Sequence, residues 1–251
     1  MPGIAQWRCC LFAVISLILA GVVTAGASRA GALDDCANAF DVDEALAGCT
    51  AIIDSTWASE EQLVQAYNNR ANARTQRRQM DGAIDDYSRA LALAPSYVNA
   101  RYNRGSLYLE LGKLDLAISD FDEVLQLDPH RADAVNNRAL ALLKAERYDE
   151  AISGFSAAVR LDPTNAYAYN NRGVAWRRKK QPARAIADFS AAINLLPEHT
   201  GALNNRGEIY LQENRLDRAA ADFRRVLASD PSHVAARRNL DFLSERSATR
   251  Q

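Results

Sequence analysis

The chain contains 251 residues, of which 24% are charged and 48% hydrophobic, and its formal net charge is −1. A nearly neutral chain lacks the excess of basic residues that binding to a phosphate backbone requires, so the composition argues against nucleic acid as a partner. Removing residues 1–30 takes away two arginines and no acid, which leaves 28 basic against 31 acidic residues and a formal charge of −3.

The N-terminus has the pattern of a secretory signal peptide. An apolar run of 15 residues, 11–25, follows Arg8, and small residues after it offer cleavage points after Ala25, Ala27 or Ala30. We therefore expect the mature protein to be periplasmic or secreted. The alternative is an uncleaved membrane anchor, which the shortness of the run disfavours because a helix that spans a bilayer needs about 20 apolar residues.

Two cysteines, Cys36 and Cys49, follow the predicted signal peptide, whereas Cys9 and Cys10 precede its apolar run and leave with it. An even pair of cysteines in an oxidising compartment is typical of a disulfide. Two thiols without an adjacent histidine do not make a zinc site, and their spacing is wider than the two-residue gap of redox-active pairs. The sequence therefore favours a structural disulfide and no metal.

Residues 64–233 repeat with a period of 34. Such a period is typical of stacked structural repeats, in which each unit hides its apolar face against the next. The recurring prolines are Pro95, Pro129, Pro163, Pro197 and Pro231. The recurring small residues are Ala71, Gly105, Ala139, Gly173 and Gly207, and the recurring alanines are Ala83, Ala117, Ala151, Ala185 and Ala219. The recurring aromatic residues are Tyr87, Phe121, Phe155, Phe189 and Phe223.

Each repeat is predicted to form two helices. In the third repeat, apolar residues at helical spacing predict helices from Ala132 to about Lys144 and from Asp149 to about Leu161, with a short polar turn between them. The proline marks the end of the second helix, because it cannot donate a hydrogen bond and restricts the residue before it. The small residue and the alanine let the two helices approach closely, and the aromatic side chain fills the space beside them.

This pattern resembles the tetratricopeptide repeat (TPR) family, without a gap from residue 64 to residue 233. The resemblance implies an all-α, right-handed superhelical solenoid of helix-turn-helix repeats with a capping helix. The implied repeats are 64–97, 98–131, 132–165, 166–199 and 200–233, after a degenerate hairpin at 31–58 and before a capping helix at 234–247. Three residues depart from the family pattern: Arg101 where a bulky residue is usual, Arg74 where an aromatic residue is usual, and Pro182 in place of a bulky residue near the start of a second helix, where proline is tolerated.

The repeat register extends into the degenerate hairpin. Ala45 falls at position 20 of the register, and Cys49 falls at position 24, where the family has its aromatic residue. Cys36 lies near the side chain that normally packs against this aromatic residue. The resemblance therefore implies that a Cys36–Cys49 disulfide replaces the missing aromatic contact.

Two further features are predicted at the ends of the repeat array. Ser59 and Gln62 suit a capping box at the start of the first full repeat. The capping helix at the C-terminus has four apolar residues for burial, and these are Val234, Leu240, Phe242 and Leu243.

The predicted binding site is a ladder of asparagines at position 6 of the repeats, which faces the concave groove in this family. A primary amide donates and accepts hydrogen bonds at once, so it can bind the backbone of an extended peptide. The alternative is that these amides bond neighbouring helices to one another. The ladder consists of Asn69, Asn103, Asn137, Asn171 and Asn205. The neighbouring residues predicted to contact the peptide are Asn136, Asn170, Tyr102, Leu140 and Val174. In the first and fifth repeats a second asparagine, Asn68 or Asn204, directly precedes the ladder residue.

Position 7 is arginine in every repeat, and position 23 is aspartate in four of them, so ion pairs between the two helices of a repeat are expected. Gly154 stands at position 23 of the third repeat, and Arg138 therefore lacks this partner; an unpaired Arg138 is a candidate anion site.

The predicted function is a non-enzymatic adaptor or scaffold that binds a protein or peptide and uses no cofactor. The sequence contains no recognisable catalytic triad, metal cluster or phosphate loop. The alternatives are a membrane-anchored scaffold, if the signal is not cleaved, and an enzyme with its active site in the groove.

Overall fold

A computed structural model describes residues 29–38 and 40–248 of the chain, with side chains as far as Glu245. Residues 1–28, which include most of the predicted signal peptide, lie outside the described residues. The described part contains thirteen helices and no strand. The helices are α1 (29–37), α2 (Val42–Ile53), α3 (Glu60–Gln76), α4 (Met80–Leu93), α5 (Val98–Glu110), α6 (Leu114–Leu127), α7 (Ala132–Lys144), α8 (Tyr148–Leu161), α9 (Ala166–Arg178), α10 (Pro182–Leu195), α11 (Thr200–Gln212), α12 (Leu216–Ser229) and α13 (Val234–Ala248).

The helices form an all-α repeat solenoid, and the chain divides into two compact units after Leu107, within α5. In the first unit α3 packs against α4 and against α2. In the second unit each helix from α6 to α13 packs against the next one along the chain, and α9 also contacts α7 and α11. Each predicted repeat thus consists of a first helix and a second helix, and α3, α5, α7, α9 and α11 are the first helices.

The turn between the two helices of each repeat contains a residue with left-handed backbone. In the third repeat this is Glu146, with φ of 60°, and the next residue donates its N–H to the carbonyl of Leu142 at 2.9 Å. Only the second repeat uses glycine here, Gly112, with φ of 71°. Because a left-handed residue other than glycine or asparagine costs about 1–2 kcal/mol, the helix packing on either side must hold the turns of the first, third and fourth repeats in place.

The aromatic residue of each repeat lies at the centre of the packing. Phe121, Phe155, Phe189 and Phe223 are all completely buried. A Cβ atom on Gly173 would lie 2.7 Å from Cε1 of Phe189, and one on Gly207 would lie 2.8 Å from Cε1 of Phe223. The small residue predicted from the repeat pattern is therefore required because the aromatic ring packs directly on the helix backbone.

The N-terminal hairpin of α1 and α2 packs on α3 through a small cluster. Cys36 and Cys49 are buried beside Ile52 and Ala66, and their sulfurs lie 2.10 Å apart. A Cβ on Gly48 would lie 2.6 Å from the backbone nitrogen of Cys36, so only glycine permits this approach of α2 to α1. The hairpin therefore brings the two cysteines together, as the repeat register predicts.

Both ends of the repeat array can be compared with their predictions. The capping box before α3 is confirmed, because Ser59 Oγ accepts from the Gln62 N–H at 3.2 Å and the Gln62 side chain accepts from the Ser59 N–H at 2.9 Å. The predicted burial along α13 is wrong for Val234 and Phe242, which are 78% and 49% exposed. The buried stripe runs instead along Ala236, Leu240 and Leu243, at the helical spacing of four and three residues.

Candidate functional site

The ten predicted peptide-contacting residues all lie on first helices and are all partly buried. None is fully buried and none is fully exposed, so each side chain is held by its neighbours and still reaches solvent. They are Asn69 on α3, Tyr102 and Asn103 on α5, Asn136, Asn137 and Leu140 on α7, Asn170, Asn171 and Val174 on α9, and Asn205 on α11.

The paired asparagines at positions 5 and 6 bond to each other within a helix. In three repeats the Nδ2 of the first asparagine donates to Oδ1 of the second. The pairs are Asn68–Asn69 at 3.1 Å, Asn136–Asn137 at 3.4 Å and Asn170–Asn171 at 3.2 Å. One acceptor position of each second asparagine is therefore already used.

The amides also bond between successive first helices. Asn103 Nδ2 donates to Asn68 Oδ1 at 3.4 Å, and Asn205 Nδ2 donates to Asn170 Oδ1 at 3.3 Å. Asn69 Nδ2, at the N-terminal end, donates to the backbone carbonyl of Cys36 at 3.3 Å. The ladder asparagines thus bond neighbouring helices to one another, as the alternative in the sequence analysis predicts. Asn69 in addition donates to the main chain, at Cys36.

The amide network is interrupted between α7 and α9. The bond from position 6 to the previous position 5 would run here from Asn171 Nδ2 to Asn136 Oδ1. Asn136 Oδ1 is instead buried without a partner, and Asn171 Nδ2 donates to no residue that the structure describes. One donor group and one acceptor are therefore left unused at this junction.

Charged residues join the network between α9 and α11. Asn204 Nδ2 donates to Glu208 Oε1 at 2.8 Å, and the other oxygen of Glu208 accepts from Arg177 at 2.5 Å. The sequence pattern does not single out Glu208, although it stands three residues after the ladder asparagine on the same helix. Its pairing neutralises the charge of Arg177 at this end of the surface.

An exposed tyrosine lies beside a buried histidine at the start of α9 and α11. Tyr167 is 62% exposed, and its ring centroid lies 4.9 Å from that of His199. His199 caps α11, because its Nδ1 accepts from the Ala202 N–H at 3.2 Å, while its Nε2 is buried without a partner among the described residues. Burial lowers the pKa of His199, which keeps the imidazole neutral and able to accept.

The arginines of position 7 form the expected ion pairs in three repeats. Each uses Nε and Nη2 to hold both oxygens of the aspartate at position 23, and its Nη1 bonds a hydroxyl of the preceding hairpin. The pairs are Arg70–Asp86, Arg172–Asp188 and Arg206–Asp222, with bonds of 2.7–2.9 Å. The hydrogen bond to the aspartate raises the pKa of each arginine.

Arg138 is not unpaired, which corrects the expectation for the third repeat. Its Nε donates to Asp122 on α6 at 2.5 Å. Asp122 stands at position 25 of the second repeat, where the first, third and fourth repeats have serine. The carboxylate has therefore moved from the same repeat to the preceding one.

A cleft of about 280 Å³ lies where the N-terminal hairpin meets α3, and Asn38, Asn69 and Asn72 line it with amides. Within the described ranges no helix is long and apolar enough to cross a membrane. The same part of the chain holds no group of three or more histidine, cysteine, aspartate or glutamate side chains that could bind a metal ion.

Comparisons with known proteins agree with this architecture. Two profiles of the tetratricopeptide repeat match the chain, one over residues 70–141 and the other over residues 136–202 and 181–234. Among curated proteins, none matches this sequence.

Several solved structures share the fold at low identity. MamA from Desulfovibrio magneticus RS-1 is 24% identical, with a TM-score of 0.64 over 68% of this chain and 97% of its own. YrrB, a TPR protein with an unusual peptide-binding site, is 23% identical, with a TM-score of 0.57 over 68% of this chain and 88% of its own. The pilF protein of Pseudomonas aeruginosa is 19% identical, with a TM-score of 0.67 over 76% of this chain and 87% of its own. At these identities the likeness shows the fold alone.

Three findings lead to one conclusion: the period of 34 residues, the packing of Phe189 and Phe223 on the first helices of their repeats, and the two matching profiles. This chain belongs to the tetratricopeptide repeat family.

Proposed function

We propose that this protein is a non-enzymatic adaptor that binds an extended segment of a protein partner across its first helices. The observation that carries the proposal is the interruption of the amide network between Asn136 and Asn171. A peptide carbonyl that accepts from Asn171 Nδ2 displaces no hydrogen bond of the protein. At Asn205, by contrast, a peptide must compete with the existing bond to Asn170.

The surroundings of this junction suit a peptide with apolar side chains. Leu140 and Val174 follow the asparagines by one helical turn on α7 and α9, and Tyr167 exposes most of its ring at the start of α9. A rigid aromatic ring contributes contact area at a low cost in conformational entropy. We expect the amides to hold the peptide backbone and these three residues to select its side chains.

Two observations support a peptide as the partner. Asn69 already donates to a backbone carbonyl, that of Cys36, so the ladder geometry is compatible with main-chain recognition. YrrB, which shares the fold, has a peptide-binding site. Extended surfaces of stacked repeats generally serve as binding surfaces.

The test uses a 12-residue peptide selected from a random phage-displayed library and labelled for fluorescence anisotropy. Asn171→Ala should weaken its binding about two- to twelvefold, which corresponds to one net hydrogen bond of about 0.5–1.5 kcal/mol. Asn205→Ala is the matched control, because its amide is already bonded to Asn170, and it should change the affinity less.

A combined variant tests the ladder as a whole. Asn137→Ala and Asn171→Ala together should weaken binding more than Asn171→Ala alone, because two amides that face the peptide are then removed. Alanine is the better helix former, and circular dichroism checks that the helices persist. Unchanged affinity in this variant would remove the amides from the binding site and refute the proposal.

We also propose that the protein acts after export and carries a Cys36–Cys49 disulfide. The buried position of both cysteines on facing helices supports the disulfide, which closes a loop that spans 13 positions in sequence. The chain-entropy estimate for such a loop is about 3 kcal/mol of stabilisation. The Arg29 guanidinium lies 5.2 Å from the ring centroid of Trp57. The mature protein keeps this contact only if the signal peptide is cleaved after Ala25 or Ala27, because cleavage after Ala30 removes Arg29. The intact mass of the exported protein tests both the cleavage and its position.

A further inference from the structure

The third repeat differs from its neighbours in where it places bulk between its two helices. In the fourth and fifth repeats the first helix carries glycine at position 8 and the second helix carries the aspartate that pairs with arginine. In the third repeat the order is reversed, with Ala139 on α7 and Gly154 on α8. A Cβ on Gly154 would lie 2.8 Å from the Cβ of Ala139, so no larger side chain fits there without a shift.

A cleft lies beside Gly154. It has a volume of about 390 Å³, and Leu125, Val135 and Ala157 give it apolar walls. Arg138, Glu150, Ser153 and Gly154 complete its lining. The volume lies within the range of small-ligand sites, about 300–1,000 Å³. The cleft thus joins an arginine to an aliphatic surface.

Arg138 keeps hydrogen-bonding capacity toward a ligand. Its only hydrogen bond with the described residues runs from Nε to Asp122, whereas the arginines of three other repeats use both Nη groups as well. The two Nη groups of a guanidinium match the two oxygens of a carboxylate in a fork. In the fourth repeat the aspartate takes Nε and Nη2 of Arg172, whereas Asp122 takes Nε of Arg138 and leaves both Nη groups for a ligand carboxylate.

Glu150 limits the charge that the cleft accepts. Arg147 holds both of its oxygens, at 2.7 and 2.6 Å, and this bond lowers the pKa of Glu150 and keeps it anionic. The four side chains Arg138, Asp122, Arg147 and Glu150 are therefore neutral together. A singly charged ligand with an apolar body is favoured over a doubly charged phosphate, which meets more repulsion from Glu150.

We propose that this cleft binds a carboxylate carried by a small aliphatic group. The carboxylate takes the Nη groups of Arg138, and the aliphatic group packs on Leu125, Val135 and Ala157. The ligand is either a small branched-chain acid or the C-terminal residue of a peptide that ends in an aliphatic side chain, since both present the same chemistry. The site is separate from the amide surface of the proposed function.

The test titrates N-acetyl-leucine into the isotopically labelled protein and follows amide NMR shifts. Saturable shifts should centre on Gly154 and Arg138. N-acetyl-leucinamide, which has the same body without the charge, and acetate, which has the charge without the body, should each bind at least tenfold more weakly. A tetrapeptide that ends in leucine distinguishes the two sources: tighter binding than N-acetyl-leucine indicates a peptide terminus, and weaker binding indicates the small acid.

Variants separate the site from a general effect on folding. Arg138→Gln should weaken binding at least tenfold, and Glu150→Gln should tighten it severalfold, an increase that a structural role alone does not produce. The double variant Ala139→Gly with Gly154→Asp copies the arrangement of Gly173 and Asp188 and should abolish binding by filling the cleft. Asn171→Ala should leave the binding of N-acetyl-leucine unchanged. Equal binding of the acid and its amide, or full binding by the Arg138→Gln variant, overturns the proposal.

Discussion

The contact between Phe189 and Gly173 allows a direct test of how the repeats pack. Phe189 is completely buried, so Phe189→Ala should destabilise the fourth repeat by about 3–5 kcal/mol. Gly173→Ala should also destabilise, by about 1–3 kcal/mol, because its Cβ would lie 2.7 Å from the phenyl ring. In the Phe189→Ala background the same Gly173→Ala change meets no ring.

The structure therefore predicts that the effect of Gly173→Ala changes sign. Without the ring, alanine at position 173 should stabilise by up to about 1 kcal/mol, because it is the better helix former. The coupling between the two substitutions is then about 2–4 kcal/mol, which is large for a contacting pair.

Native-state hydrogen exchange of α9 and α10 is the appropriate measurement, since repeat arrays do not always unfold in one step. Leu195→Ala on α10 is the matched control, because Leu195 is 42% exposed and its truncation should cost much less. Equal effects of Gly173→Ala in the two backgrounds would refute the ring-on-backbone contact.

Two further predictions concern titration and oxidation. His199 must be neutral to accept from the Ala202 N–H, and burial lowers its pKa. As the pH falls below about 6.5, the unfolded chain binds the proton before the folded protein does. The free energy of unfolding should therefore decline from that pH until the pKa of the folded state is passed. His199→Asn copies the natural Asn165 cap of α9 and should reduce the difference in thermal unfolding midpoint between pH 8 and pH 5. If the difference is unchanged in this variant, other titrating groups cause it. Labelling of free thiols in exported protein without reductant should find neither Cys36 nor Cys49 reactive, and labelling of both would exclude the disulfide.

The repeat sequence by itself determined the family, the helical hairpins and the residues between them. Proline, alanine, small residue and aromatic residue recur at fixed positions, and each position has one steric task that any tetratricopeptide repeat must meet. Phe189 and Gly173 are predictable for this reason, because ring and backbone compete for one space. The same register predicts that Cys49 takes the place of the aromatic residue in the N-terminal hairpin.

Only the tertiary structure decided which polar groups are used up. The sequence shows that Gly154 removes the partner of Arg138, but the replacement, Asp122, comes from the preceding repeat and is reached across the contact of α6 with α7. Asn171 and Asn205 have the same register position, yet Asn205 is bonded to Asn170 and Asn171 donates to no described residue. Whether a hydrogen bond forms depends on differences of a few tenths of an ångström in the distance between atoms on neighbouring helices, and a repeating sequence pattern does not contain this information.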